Sequence, residues 1–286
     1  MKLHCAGRIL DLSLPQVMGI LNATPDSFSD GGQFRDKSAA INQAAKMLVD
    51  GASIIDVGGE STRPGAAPVG LQEELDRVVP IIEAISKNLD VCISVDTSSP
   101  EVMKAAKQAG AHILNDVRAL SRDGAMQVAA ETDLPVCLMH MKGEPLNMQN
   151  NPSYSQVVND VFGYLKGRIK DCESAGIDKS RILIDPGFGF GKSMAHNYQL
   201  LSQLHRFGDL GVPVLAGLSR KSMIASALAG DNGQPRAVQE RLFGSVSAAV
   251  IAAMNGAKII RVHDVAETVD ALRIVIETQK QALNAE

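Results

Sequence analysis

Apolar residues gather in eight short runs of strand length, at 17–21, 54–57, 91–95, 112–114, 136–139, 182–184, 212–215 and 259–262. Between these runs apolar positions recur at helical spacing, in 39–49, 71–85, 100–109, 157–175 and 265–276, which predicts helices with one buried face. Strand and helix alternate along the chain, and that order predicts parallel pairing of the strands. The longest uncharged stretch, 242–257, has 16 residues and is rich in Ala, Ser and Gly. It is too short to cross a bilayer and is expected to form a core helix.

One joint occurs three times. Gly51-Ala52-Ser53-Ile54-Ile55, Gly110-Ala111-His112-Ile113-Leu114 and Gly256-Ala257-Lys258-Ile259-Ile260 each follow a helical stretch and lead into a strand. Gly at that point is a helix-stop signal, because it accepts φ > 0 without a Cβ clash. A repeated helix-to-strand joint suggests a repeated βα unit, and eight units in about 250 residues match a (β/α)8 barrel. A doubly wound open sheet is the alternative. No linker or composition shift divides the chain, so residues 1–286 are expected to form a single domain.

Polar residues sit at the C-terminal ends of the predicted strands: Asn22, Asp56, Asp96, Asn115, His140, Asp185, Ser219 and His263. In a barrel those ends converge on the face that carries chemistry. A single polar strand end is usually a helix cap or turn former. Eight together, mixing amide, carboxylate and imidazole, point to a site.

Asp185-Pro186-Gly187-Phe188-Gly189-Phe190-Gly191-Lys192-Ser193 follows a strand and precedes a helical stretch, as a phosphate loop does. The spacing excludes one: GxxxxGK[ST] would place its first Gly at position 186, which is Pro. The alternating glycines also fail the dinucleotide pattern GxGxxG. What remains is a carboxylate followed by a turn carrying two rings, Phe188 and Phe190. They read either as core plugs or as one wall of a slot for a planar heterocycle. Two further segments, 22–32 and 58–65, are dense in turn formers and are expected to be functional lids over the same face. At Ser219-Arg220-Lys221-Ser222 a helix is predicted to open beside two basic side chains, which suits an anion. Arg261 and His263 alternate along the last strand, so both face one side and suit phosphate oxygens.

Composition narrows the class. The net charge is −4, Trp is absent and aromatic residues make up 3%, so neither a basic nucleic-acid footprint nor a stacking platform is expected. The four cysteines, Cys5, Cys92, Cys137 and Cys172, show no metal-ligand spacing and read as free thiols of a reducing compartment. Arg8 and Asp11 interrupt the N-terminal region, so no secretory leader is expected. The expected location is the cytoplasm.

In combination these residues resemble the bacterial dihydropteroate synthases. The resemblance is carried by NATPDSFSDGG at 22–32, DVGGESTRP at 56–64, SVDTS at 94–98, Asn115-Asp116, DPGFGFG at 185–191, SRKS at 219–222 and RVHD at 261–264. It runs from residue 17 to the last helix; Ala23 stands where the family often has Val. The resemblance implies a TIM barrel that condenses (7,8-dihydropterin-6-yl)methyl diphosphate with 4-aminobenzoate by an SN1-like path, and that is a sulfonamide target. It implies that Asp96, Asn115, Asp185 and Lys221 bind the pterin, with Met139 and Gly217 lining its slot. Asn22, Thr62, Arg261 and His263 would face diphosphate and Mg²⁺, with Asn22 as the protein's metal ligand. Arg63, Pro64, Phe28, Phe190, Lys221 and Ser222 would surround 4-aminobenzoate. A homodimer is implied as well; no nucleic acid or membrane partner is expected. A pterin-dependent methyltransferase would share the pterin contacts without needing Lys221, Arg261 and His263 for diphosphate. A barrel that only binds a pterin or phosphate is the non-enzymatic reading.

Overall fold

A computed structural model describes residues 1–23, 32–60, 66, 69–230 and 233–283. The chain begins with an antiparallel hairpin, β1 (Lys2–Cys5) and β2 (Arg8–Asp11), which the apolar pattern did not predict. Eight parallel strands follow: β3 (Gln16–Asn22), β4 (Ile54–Gly58), β5 (Cys92–Asp96), β6 (Ile113–Asp116), β7 (Val136–Met139), β8 (Ile182–Asp185), β9 (Leu215–Ala216) and β10 (Ile259–Val262). From β3 to β8 each pairs with its neighbour in sequence, β9 pairs with β10, and β10 returns to β3 with Ile259 opposite Gln16. The ring closes where Ile184 bridges Val214 and donates its N–H to Pro213 O at 3.0 Å. That bridge decides for the barrel over the open sheet. β9 is shorter than expected because Pro213 has no N–H to give to a ladder.

Alternation along each strand sets the interior. Met18, Ile54, Cys92, Ile113, Cys137, Leu183, Leu215 and Ile259, one from each barrel strand, form a buried layer together with Leu3, Cys5 and Leu12 of the hairpin segment. The hairpin therefore plugs the N-terminal mouth. Burying each larger side chain contributes roughly 1.5–3 kcal/mol. Because side chains repeat every second residue, the next axis-facing positions are Ile20, Asp56, Ser94, Asn115, Met139, Asp185, Gly217 and Arg261. The barrel thus changes from apolar to polar in one step, two residues above its plug.

Nine helices among the described residues wrap the outside: α1 (Gly32–Val49), α2 (Leu71–Asn88), α3 (Pro100–Ala109), α4 (Ala125–Thr132), α5 (Val157–Ser174), α6 (Met194–Ser202), α7 (Ser222–Ala227), α8 (Leu242–Met254) and α9 (Val265–Leu283). Their inner faces and the outward strand residues make the second, larger core. The three predicted joints hold: Gly51, Gly110 and Gly256 have φ of 99°, 108° and 94°. No helix among the described residues is long and apolar enough to cross a membrane. The core-helix expectation for 242–257 needs correction. Ser245, Ala248, Ala249, Ala252 and Ala253 of α8 are buried, but Phe243 is 83% exposed, and Ile251 and Met254 are exposed too. Small residues on one face let α8 approach the barrel closely, and its large apolar residues are left on the other.

Candidate active site

The polar layer is organised by one guanidinium. Arg261 of β10 donates from Nε to Asp56 Oδ2 at 2.6 Å and from Nη2 to Asp96 Oδ2 at 2.8 Å. Asn115, the register partner of Asp96, donates from Nδ2 to Asp56 Oδ2 at 3.2 Å. Asp56 is fully buried and Asp96 nearly so. Burial pushes the Asp96 carboxyl up to about 7 against the pull of Arg261. Arg261 stays charged: burial opposes its protonation, but Asp56 and Asp96 outweigh that and raise its pKa. The alternation puts Arg261 and His263 on one side for phosphate oxygens, yet Arg261 turns two of its nitrogens onto carboxylates. Asp56, a strand end in the sequence but not among the residues given a role, is the anchor. Its signal is present in the alternation, two residues after Ile54.

Across the barrel, Asp185 ends β8 beside Met139 of β7. Its Oδ1 accepts the N–H of Gly187 at 2.7 Å. Burial raises the Asp185 pKa, with Lys221 the strongest opposing influence. A Cβ added at Gly217 would lie 3.9 Å from both Asp185 Oδ2 and the Arg261 side chain. Any longer side chain there would extend into the interior between them, so Gly keeps that space open. Lys221 donates to Phe188 O and places its Nζ 4.2 Å from the centroid of the Phe190 ring, a cation–π arrangement. Burial brings Lys221 down to about 8 even with Asp185 supporting the charge. The two rings of the turn divide the readings offered for them. Phe188 is a fully buried plug. Phe190 is half-buried beneath Lys221.

A third group lies nearer the rim. Asn22 and His263 line a cavity of about 310 Å³ with Ile20, Gln43 and Arg220. Ser219 Oγ lies 3.0 Å from His263 Nδ1 and accepts the His263 N–H at 3.2 Å. The neighbouring basic residues part company here. Lys221 turns inward, whereas Arg220 pairs with Asp264 and holds a φ of 57°. That strained backbone is fixed by Ser245 Oγ, which accepts the Arg220 N–H at 2.9 Å, and by Arg241, which donates to Arg220 O at 2.7 Å. Ser222 is exposed at the first position of α7, a helix of 6 residues. The structure therefore gives the expected helix-end site only a short dipole. His140 departs from the other strand ends. It follows the inward Met139 and so points out of the barrel, where it is buried. Phe28, Thr62, Arg63 and Pro64 lie outside the described residues, as do most of the two turn-rich segments.

Among the described residues no cluster of three or more His, Cys, Asp or Glu could hold a metal. The metal donor that the family resemblance implies, Asn22, is a neutral amide lining the rim cavity. Such a donor suits a hard ion that keeps its waters and arrives with phosphate, and does not suit a resident cage.

The comparisons with known proteins agree with this geometry. Residues 18–263 match the family model for pterin binding enzymes. The dihydropteroate synthase of Escherichia coli K12 is 56% identical over 278 residues, 97% of this chain and 96% of that protein. The crystal structure of Yersinia pestis dihydropteroate synthase with a sulfonamide drug complex has a TM-score of 0.91 at 54% identity, covering 98% of this chain and 100% of that one. The Xanthomonas albilineans enzyme in complex with 7,8-dihydropteroate has a TM-score of 0.87 at 49% identity, covering 98% and 99%. This chain belongs to the pterin-binding enzyme family, in its dihydropteroate synthase branch.

Proposed function

We propose that this chain, as one barrel domain, joins (7,8-dihydropterin-6-yl)methyl diphosphate to 4-aminobenzoate at its strand-end mouth, giving 7,8-dihydropteroate and diphosphate. The observation that carries the reading is the polar layer of Asp56, Asp96, Asn115, Asp185 and Arg261, closed below by a dry plug and roofed on one side by Lys221 and Phe190. A pterin edge presents an exocyclic amino group beside a ring N–H, two parallel donors that one carboxylate accepts together. Asp185 serves that edge, while Asp96 and Asn115 take the opposite one. Met139 and Gly217 shape the slot between them.

In the reaction the C–O bond to diphosphate breaks and its electron pair leaves with the phosphate oxygen. The pterin methylene is left cationic, and the amino nitrogen of 4-aminobenzoate captures it and releases a proton. The buried carboxylates lie where that positive charge develops, and His263, oriented by Ser219, lies toward the departing diphosphate. Mg²⁺, held through the Asn22 amide oxygen and the substrate's own oxygens, would supply charge neutralisation at the leaving group. Arg261, with two nitrogens on Asp56 and Asp96, first fixes the pterin floor and faces diphosphate with what remains. Ser222, with Arg63, Pro64 and Phe28, is assigned to 4-aminobenzoate on the family resemblance, and Thr62 to diphosphate. Sulfonamides, which mimic 4-aminobenzoate, would enter the same pocket, as the complex of the Yersinia relative supports. Incubating the purified chain with both substrates and Mg²⁺ tests the reading: diphosphate and dihydropteroate form in equal amounts. A methyltransferase or a mere binder releases no diphosphate.

The cytoplasm is the proposed compartment, supported by four buried free thiols. A homodimer is the proposed assembly. Ile251 lies nine positions into α8 and Ile274 nine positions into α9, on parallel neighbours, and both are exposed with Phe243 and Met254. A patch of that kind favours burial against a second copy. Phe243→Asp combined with Ile251→Asp is expected to convert a dimer into a monomer in sedimentation velocity. A monomeric parent chain would sink the assignment.

A further inference from the structure

The Gly191-Lys192-Ser193 tail has the residues of a phosphate loop without its spacing, and the structure gives its lysine other work. Lys192 is 3% exposed. Its Nζ lies 2.8 Å from Gly187 O, 3.1 Å from Phe190 O, 3.2 Å from His140 O and 2.9 Å from His140 Nδ1. No carboxylate among the described residues forms an ion pair with it. Burial and the charge of Lys192 bring the His140 pKa down to about 3, so the imidazole is neutral; in its Nε2-protonated tautomer Nδ1 accepts from Lys192. Burial pulls the Lys192 pKa well below the ordinary lysine value, but three carbonyls, which can only accept, converge on Nζ and favour the protonated, three-donor head group. A compact ammonium can serve acceptors in several directions at once, which a planar guanidinium cannot.

The cage explains how an irregular turn is held still. From Gly187 to Gly191 every backbone carbonyl accepts from a side chain: Gly187 and Phe190 from Lys192, Phe188 from Lys221, Gly189 from Gln149, and Gly191 from Tyr154. The Gly189 N–H is taken by Asn197 Oδ1 at 2.7 Å. The three glycines hold φ of 71°, 81° and 62°. A Cβ at Gly187 would strike His140 O, and one at Gly191 would strike Lys142 O. The turn is therefore pressed against the end of β7, and Lys192 fastens the two segments from between, beside the His140 N–H bond to Asp185 O at 3.0 Å. Glycine-rich backbone loses the most freedom on ordering, so without such donors this turn would not hold one conformation.

We propose that Lys192 is a positioning residue of the synthase site: a buried cation, out of reach of either substrate, that fixes the 185–191 turn and through it the Asp185 carboxylate and the Phe190 ring. The inference rests on the assignment of Asp185 to the pterin and Phe190 to 4-aminobenzoate. The test uses the full chain with Lys192→Met, which keeps length and removes every donor, and Asp185→Asn as reference. Lys192→Met is expected to keep the parent's circular dichroism and to lose roughly 100-fold in kcat/KM, the scale of a site displaced by about 1 Å. Most of the loss should appear as raised KM for both substrates rather than lowered kcat. Lys192→Gln, which retains two donors, should recover part of it, and it replaces Lys192→Met in the comparison if that variant does not fold. A lowered melting temperature with kcat/KM within about threefold of the parent would make Lys192 a stability residue only and overturn the proposal. If Asp185→Asn fails equally to change the pterin KM, the site reading falls instead.

Discussion

Asp185→Asn is expected to weaken pterin binding at least tenfold in calorimetric titration. The carboxylate already accepts the Gly187 N–H on Oδ1, and each carboxylate oxygen has two lone pairs, so both oxygens can still meet the paired donors of a pterin edge. The amide keeps the shape but offers a donor where an acceptor is required. It also removes the charge that supports Lys221, whose pKa burial already holds at about 8. With Asp185 gone that value falls further, and part of the Lys221 population is neutral at physiological pH. Hydrogen bonds to charged groups contribute roughly 1.5–3 kcal/mol each, or about 10- to 150-fold in affinity. Unchanged pterin affinity would remove Asp185 from the binding site. Because the Lys221 effect is a protonation, the deficit should deepen as pH rises toward about 8, where the parent's own Lys221 loses its proton.

The barrel was legible because its information is local and repeated. Each strand announced itself as an apolar run, and each Gly-Ala joint recurred where a helix had to stop and a strand begin. The N-terminal hairpin escaped because its strands are only 4 residues each, with charges at Lys2, Arg8 and Asp11, and because its partner is the barrel floor. No local pattern reports a plug. The strand ends gave the site residues for the same reason the strands were visible: period two carries Ile54 to Asp56, Leu183 to Asp185 and Ile259 to Arg261 onto one axis. Which of them would touch was not legible. Asp56 and Arg261 are 205 positions apart, and only closure of the ring brings β10 against β3 and Arg261 within reach of Asp56 and Asp96. The Arg220-Lys221 pair shows the same limit from the other side. Adjacent in sequence, the two cations point to different partners because a left-handed residue lies between a strand and a short helix. Lys192 was visible only as a failed motif, since three of its four partners are backbone carbonyls, which every residue has.

Arg261→Met is expected to cost about 3–5 kcal/mol of stability at pH 8, the range found when one partner of a buried ion pair is removed. Two carboxylates depend on this guanidinium, and neither can reach solvent freely. Asp96 makes the loss depend on pH. Its ordinary value is 3.8, and burial raises it to about 7 in the fold even with Arg261 present. For a carboxylate whose folded pKa lies above its unfolded one, the folded state binds more protons between those values. Its favourable contribution is complete below about 3.8 and disappears as pH rises through about 7. Without Arg261 the folded pKa of Asp96 climbs further, so Arg261→Met should be closer to the parent near pH 5, where Asp96 is protonated and only Asp56 has lost its guanidinium partner, than at pH 8. Urea unfolding of both chains at the two pH values decides the matter. Arg261→Lys, which keeps a charge but cannot fork between Asp56 and Asp96, should fall between them at pH 8. An equal loss at both pH values would mean that the cost lies in the Asp56 contact alone and that Arg261 does not govern the Asp96 proton. No loss at pH 8 would mean that water, rather than Arg261, solvates the two carboxylates, and the closed polar floor on which pterin binding rests would have to be abandoned.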